Sequence, residues 1–159
     1  MKSLGKRIKL PITLREMMTA DITEISNLEG KIFPDPWPES SFHEILEDKD
    51  WYTLVAEYQG KIIGYACYVI ILDEVHLANI AVDAPHRRKS VAKQLLEYIL
   101  RVIKEKRCTI ILLEVRVSNH EARTFYERFG FKELYRRSRY YRNPVEDALV
   151  MVLSLFVDE

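Results

Sequence analysis

Three groups of residues have the types and spacing to do chemistry. The first is Asp83-Ala84-Pro85-His86-Arg87-Arg88-Lys89-Ser90-Val91-Ala92. Three cations stand there just before a stretch whose apolar spacing predicts a helix starting near Ser90. A helix start offers free backbone N–H groups and the positive end of the dipole. Small Ser90 and Ala92 let a ligand approach the backbone, so the segment could cradle a pyrophosphate. It has neither the Gly-Lys-Ser/Thr element of a Walker loop nor the G-x-G-x-x-G of a dinucleotide loop. The plainer reading is a basic turn capped by Ser90. The second group centres on Glu114, which interrupts the apolar run 109–117 at the end facing the next helix. Ligands gather at strand carboxyl ends in α/β sheets. A carboxylate partly withdrawn from water there suits general-base work near neutral pH. Its plainer reading is an ion pair with Arg116 or another neighbour. The third is Tyr126. A phenol titrates near 10, so it can hold a proton in reserve at neutral pH. Its plainer reading is core packing beside Phe125 and Phe129.

The elements that must position these residues follow from periodicity. Ile12 and Leu14 alternate with Thr13 and Arg15, which predicts a first strand. Thr19 is the expected cap of a helix carrying Ile22, Ile25, Leu28 and Ile32 at helical spacing. The three prolines in 33–38 must end it, because they lack an amide donor. A short helix from Ser40 or Ser41 carries Phe42, Ile45 and Leu46. Strands at 51–57, 61–72 and 75–82, joined by turns at Gln59-Gly60 and Asp73-Glu74, predict an antiparallel meander. Val91, Leu95, Leu96, Ile99, Val102 and Ile103 then form one face of a helix of about four turns. The run 109–117 is near-continuously apolar, as expected of a strand buried on both faces. Ser118 or Asn119 caps a helix that Gly130 ends. Strands at 132–140 and 148–156 close the chain. The fold class is α+β: a mixed, mostly antiparallel sheet of about seven strands with about four helices.

Composition bounds the function. A chain of 159 residues is read as one domain, 1–159. Lys+Arg and Asp+Glu are 24 each, so wholesale charge-driven binding to nucleic acid or an anionic membrane is not expected. Arg136, Arg137, Arg139 and Arg142 lie among tyrosines and could be read as an RNA stacking patch. The balanced net charge argues instead for a solvated strand face. Cys67 and Cys108 form no disulfide framework and no paired metal-ligand motif, so no metal is expected. Lys2, Lys6, Arg7 and Lys9 are followed by no apolar stretch of signal-peptide length. The most apolar stretch, 62–72, is broken by Gly64 and is too short to span a bilayer. A soluble cytoplasmic protein is expected.

The three groups converge on a resemblance that covers about 12–155. The chain resembles the GCN5-related N-acetyltransferase (GNAT) superfamily. That family's pyrophosphate motif, Arg/Gln-x-x-Gly-x-Gly/Ala after an apolar-Val-Asp strand end, is matched by Ile80-Ala81-Val82-Asp83 and then Arg87-x-x-Ser90-x-Ala92. Ser90 departs from it, standing where the family usually has Gly. Within the family the chain is most similar to protein N-terminal acetyltransferases, of the ribosomal-protein-alanine and archaeal types. The matching segments are Pro36-Trp37 followed by Phe42; Leu113-Glu114-Val115-Arg116 with Ser118-Asn119; Phe125-Tyr126-Glu127-Arg128-Phe129-Gly130-Phe131; and Tyr140-Tyr141 followed by Glu146-Asp147-Ala148 and Met151.

The resemblance implies acetyl-CoA as cosubstrate, bound between the strands 75–82 and 109–117. Its pyrophosphate would meet Arg87, Arg88, Lys89, Ser90, Val91, Ala92 and Lys93. A backbone N–H among Ile80, Ala81 and Val82 would polarise the thioester carbonyl. Glu114 would be the general base, Tyr126 the general acid and Asn119 a cofactor contact. A protein or peptide N-terminus would enter between the loop bearing Phe33 and Trp37 and the segment bearing Tyr140 and Tyr141. An α-amine titrates near 7.7–8.0, so a carboxylate is an adequate base for it. Two alternatives stay open: transfer to lysine side chains or small amines, and a non-catalytic acyl-CoA-binding module.

Overall fold

The computed structural model describes residues 9–156. The elements in order are β1 (Thr13–Arg15), α1 (Ile22–Ile32), α2 (Glu39–Glu47), β2 (Trp51–Tyr58), β3 (Lys61–Ile71), β4 (Glu74–Val82), α3 (Val91–Glu105), β5 (Ile110–Arg116), α4 (His120–Arg128), β6 (Lys132–Arg142) and β7 (Val145–Ser154). One seven-stranded sheet has the order β1-β2-β3-β4-β5-β7-β6. Every neighbouring pair is antiparallel except β4 and β5, which the α3 crossover makes parallel. The expected α+β class and the meander are present. The last strand, β7, inserts between β5 and β6.

Two apolar layers cover the sheet. On one face, Val91, Leu95, Leu96, Ile99 and Ile103 of α3 pack against Ile63, Val75, Leu77, Ile111 and Leu113. Each such buried side chain stabilises the fold by about 2 kcal/mol. Tyr126 of α4 belongs to the same layer. On the other face, Ile22, Ile25 and Leu28 of α1 and Phe42 and Ile45 of α2 pack against Val55, Tyr65 and Cys67. Gly64 allows α3 to sit close: a Cβ there would meet Ala81 O at 3.0 Å and Val91 Cγ1 at 3.2 Å.

Several local expectations are corrected. Thr19 does not cap α1; it lies in a 3-10 turn, and Asp21 accepts from the Met18 N–H at 2.7 Å and from Arg15. The second helix starts at Glu39 after Pro38, not from a serine cap. Ser90 precedes α3 but its side chain caps nothing. Asn119 is a true cap, its Oδ1 accepting from the Ala122 N–H at 3.1 Å. β5 is not buried on both faces: Ile111, Leu113 and Val115 are buried, whereas Leu112, Glu114 and Arg116 are half-buried. The cause is the layout of the helices, since α1 and α2 pack on β2 and β3. Among the described residues, no helix is long and apolar enough to cross a membrane.

Candidate active site

The parallel pairing of β4 and β5 joins Glu74 to Ile110, Val75 to Ile111 and His76 to Leu112, and then stops. Both strands run on, β4 to Val82 and β5 to Arg116. They part and leave a gap open toward their carboxyl ends. Ala78 is an extra residue on β4, because Cys67 pairs with Asn79 and Tyr68 with Leu77. Such a bulge bends its strand, and it lies where the two strands separate. Asp83 N–H donates to Ile63 O at 2.8 Å. Antiparallel ladders alternate, so Ala81 turns its amide to β3, while Ile80 and Val82 turn theirs to the gap. The Ala81 amide is therefore not a donor to a ligand there. The Val82 carbonyl accepts from Arg87 Nε at 3.2 Å.

That bond folds Arg87 back on the strand end. Beyond it, Arg88 and Ser90 both have left-handed backbones, φ +62° and +64°. The position of Ser90 thus requires the conformation glycine adopts most cheaply. No described residue accepts from the backbone N–H groups of residues 88–93. Six consecutive amides thus lack an acceptor among the described residues, and the α3 dipole adds positive potential at the same loop, which suits an anion. Val91 is 2% exposed, so it can offer only its amide. Arg88 and Lys89 are exposed; Arg88 lies 3.8 Å from Glu121 and Lys93 lies 3.8 Å from Glu97. Asn119 spends its oxygen on the helix cap and keeps its amide nitrogen for donation.

Glu114 sits on the half-buried face of β5 next to the parting. One oxygen is 2.5 Å from His76 Nε2, and the other is 3.4 Å from Arg137. His76 is on β4 in the last residue pair before the opening. Periodicity does not single it out; only the register of β4 against β5 brings it to Glu114. Tyr126 is buried against Phe125 and Phe131, and its hydroxyl bonds to no described residue. Burial, and then the Tyr141 phenol, push its pKa above the usual tyrosine range, so it keeps its proton.

Tyr140 and Tyr141 flank Glu114. Burial raises the pKa of both, with further contributions from each other's surroundings that include the Glu114 carboxylate. The Arg116 guanidinium lies 4.3 Å from the Tyr141 ring centre, and that of Arg137 lies 4.8 Å from the Tyr140 ring. A bulge in β6 between Arg137 and Tyr141 and a left-handed Arg139, whose N–H donates to Asp147 at 2.9 Å, aim the two tyrosines. The loop after α1 reaches the β6–β7 turn: Asn143 N–H donates to Asp35 Oδ2 at 2.9 Å. Phe33 and Trp37 pack inward instead. The Trp37 ring is 5.7 Å from Phe42 and 6.3 Å from Trp51, so it anchors the loop more than it lines the groove. The structure thus joins Glu114, Tyr140 and Tyr141 in one cluster, with the 87–93 loop at the far end of the gap.

Comparison with known proteins identifies the family. The Acetyltransferase (GNAT) family matches residues 22–131. A Bacillus subtilis (strain 168) protein is 35% identical over 149 residues, 93% of this chain and 99% of that one; its name assigns it ribosomal protein bS18-alanine N-acetyltransferase activity provisionally. The Escherichia coli (strain K12) ribosomal protein bS18-alanine N-acetyltransferase is 30% identical over 145 residues, covering 90% of this chain and 97% of its own. The crystal structure of the Escherichia coli ribosomal-protein-S18-alanine N-acetyltransferase superposes with a TM-score of 0.86 at 29% identity, over 93% of this chain and 96% of that one. The family match spans most of the chain and includes the parted strands, the 87–93 loop and Glu114: the chain belongs to the GNAT acetyltransferase family.

Proposed function

We propose that the protein is an acetyl-CoA-dependent Nα-acetyltransferase that modifies the N-terminal amine of proteins, a ribosomal protein among the candidate targets, and that the whole chain, 1–159, is one such domain working in the cytoplasm. One observation carries the reading: β4 and β5 part immediately beyond His76 and Leu112, with Glu114 at the mouth of the gap and an amide-lined loop at its end. The relatives named above are, by name, alanine N-acetyltransferases of a ribosomal protein, which supports the reading.

Bound acetyl-CoA supplies the acyl group as a thioester. The amides of residues 88–93 hold its pyrophosphate, and the Asn119 amide nitrogen adds a donor. The Ile80 and Val82 amides face the gap as fixed donors for a developing oxyanion, with no reorganisation needed at the moment of reaction. Glu114 accepts the proton that the α-amine must lose, directly or through water. Part of that amine is already neutral near pH 7, so the demand on the base is small. His76 holds the Glu114 carboxylate in place and is a positioning residue. Tyr126 retains its proton and gives it to the departing thiolate. Tyr140 and Tyr141, held by Arg137 and Arg116, orient the peptide backbone.

The test is a peptide beginning with Ala and carrying one internal Lys, incubated with acetyl-CoA and analysed by fragment mass spectrometry. Acetyl on the α-amine alone supports the reading, with no product from the same peptide blocked at its N-terminus. Acetyl on the lysine would reassign the substrate class. Absence of both product and acetyl-CoA binding would remove the enzyme reading.

A further inference from the structure

Glu29 is a carboxylate that the mechanism above does not use, and it is 1% exposed. No cation pairs with it among the described residues. Burying such a charge is costly unless donors replace its water. Three do. Tyr65 OH donates to Oε1 at 2.6 Å, Asn79 Nδ2 to the same oxygen at 2.8 Å, and the Trp37 N–H to Oε2 at 2.9 Å. The Glu29 backbone carbonyl also accepts from the Phe33 N–H at 3.0 Å. One residue therefore fastens both ends of the loop 33–37, by its main chain at Phe33 and by its side chain at Trp37. The middle of that loop meets the opposite wall, where Asp35 and Pro34 O accept from Asn143. The third donor, Asn79, follows the Ala78 bulge and precedes Ile80, whose amide faces the gap.

From this juxtaposition we infer that Glu29 is a positioning residue for the peptide: it fixes the entry loop 33–37 to β4 at the point where the strand opens. The inference deepens the reading given above and rests on it. A buried carboxylate is a suitable pin because it offers two oxygens at fixed separation, one for the loop and one for the sheet. Its side-chain bonds go to Trp37 and Tyr65 in the α1–α2 layer and to Asn79, and none goes to the 88–93 loop. Glu29 should consequently govern the peptide and not the cosubstrate.

The experiment compares wild type, E29Q and Y65F by steady-state kinetics and acetyl-CoA titration. E29Q can keep an oxygen toward Tyr65 and Asn79 but then presents an amide N–H to the Trp37 N–H. Y65F removes one buried bond to Glu29 and leaves the loop bond intact. E29Q should raise the peptide KM by about tenfold or more, since small misplacements of substrate are costly. Its acetyl-CoA Kd should stay within about twofold, and Y65F should stay within about twofold in both quantities. A merely structural role would move the two variants together. Equal peptide KM values for E29Q and Y65F, or an unchanged KM in E29Q, would overturn the inference while leaving an active wild type as an Nα-acetyltransferase. A wild type that binds acetyl-CoA yet acetylates no peptide end would overturn both. Should E29Q fail to fold, hydrogen exchange on the wild type decides. A Trp37 amide protected about a hundredfold over that of Asp35 supports the pin, and equal rates overturn it.

Discussion

Glu114 is restrained on both sides, by His76 at one oxygen and Arg137 at the other, while its own side chain stays only 14% exposed. A carboxylate held in that way has little freedom to reorient. Tyr126 has the complementary property. Burial raises its pKa, so it stays protonated across the neutral and mildly alkaline range. Tyr126→Phe should slow thiol release at pH 7 by about a hundredfold or more, within the usual range for a lost general acid, with the fold intact. A full rate, followed by release of free thiol, would assign the proton to water instead. Both residues are singled out as candidates, through the family resemblance, by the Glu114-Val115-Arg116-x-Ser118-Asn119 segment and the tyrosine twelve positions after the glutamate. His76 is not, because it meets Glu114 through parallel register, which no local pattern encodes. Glu29 did leave a signal. It stands i+4 from Ile25 and i+7 from Ile22, on the apolar stripe of α1 where a carboxylate is out of place.

At the scale of the element, the loop entering α3 carries Ser90 where the resembled motif has Gly. Ser90 adopts φ +64° there, which costs an L-residue about 1 kcal/mol relative to glycine. Ser90→Gly should raise the melting temperature by a few degrees, about 4 °C per kcal/mol at this size. It should also tighten acetyl-CoA binding by removing a Cβ beside the amides. Weaker binding by titration calorimetry would mean that the hydroxyl donates a useful bond. Gly64→Ala should act in the opposite direction. The new methyl would press on the Ala81 carbonyl, which is backbone and cannot swing away, and on Val91 at the start of α3. A loss of about 1–3 kcal/mol in denaturant unfolding is expected. The meander, the crossover and both later helices follow from hydrophobic spacing, which local periodicity reports well. The caps at Thr19 and Ser40 do not, because an Asp21–Arg15 pair and Pro38 do their work. The insertion of β7 beside β5 is a long-range pairing, and the half-open face of β5 follows from where the helices lie.

At the scale of the whole molecule, the aromatic residues set the alkaline limit. Tyr65, Tyr68, Tyr126 and Tyr141 all have pKa values raised mainly by burial. In the unfolded chain these phenols titrate near 10. Above that value the unfolded state releases protons that the folded state still holds, so stability falls as pH rises. Unfolding midpoints should therefore be flat on approach to about pH 9 and drop beyond about pH 10. A midpoint unchanged to pH 11 would contradict the burial of these hydroxyls. The acid limb has the opposite sign. Asp21, held below the usual carboxylate range by the Arg15 guanidinium, contributes stability that is present above its unfolded value and lost as pH falls through the folded one.

The most direct measurement is the turnover of Glu114→Gln on an Ala-starting peptide, taken beside its acetyl-CoA affinity. The proposed mechanism predicts a kcat lower by about a hundredfold or more, with the cosubstrate Kd and the melting temperature close to wild type. A variant that acetylates the peptide at the wild-type rate would contradict it.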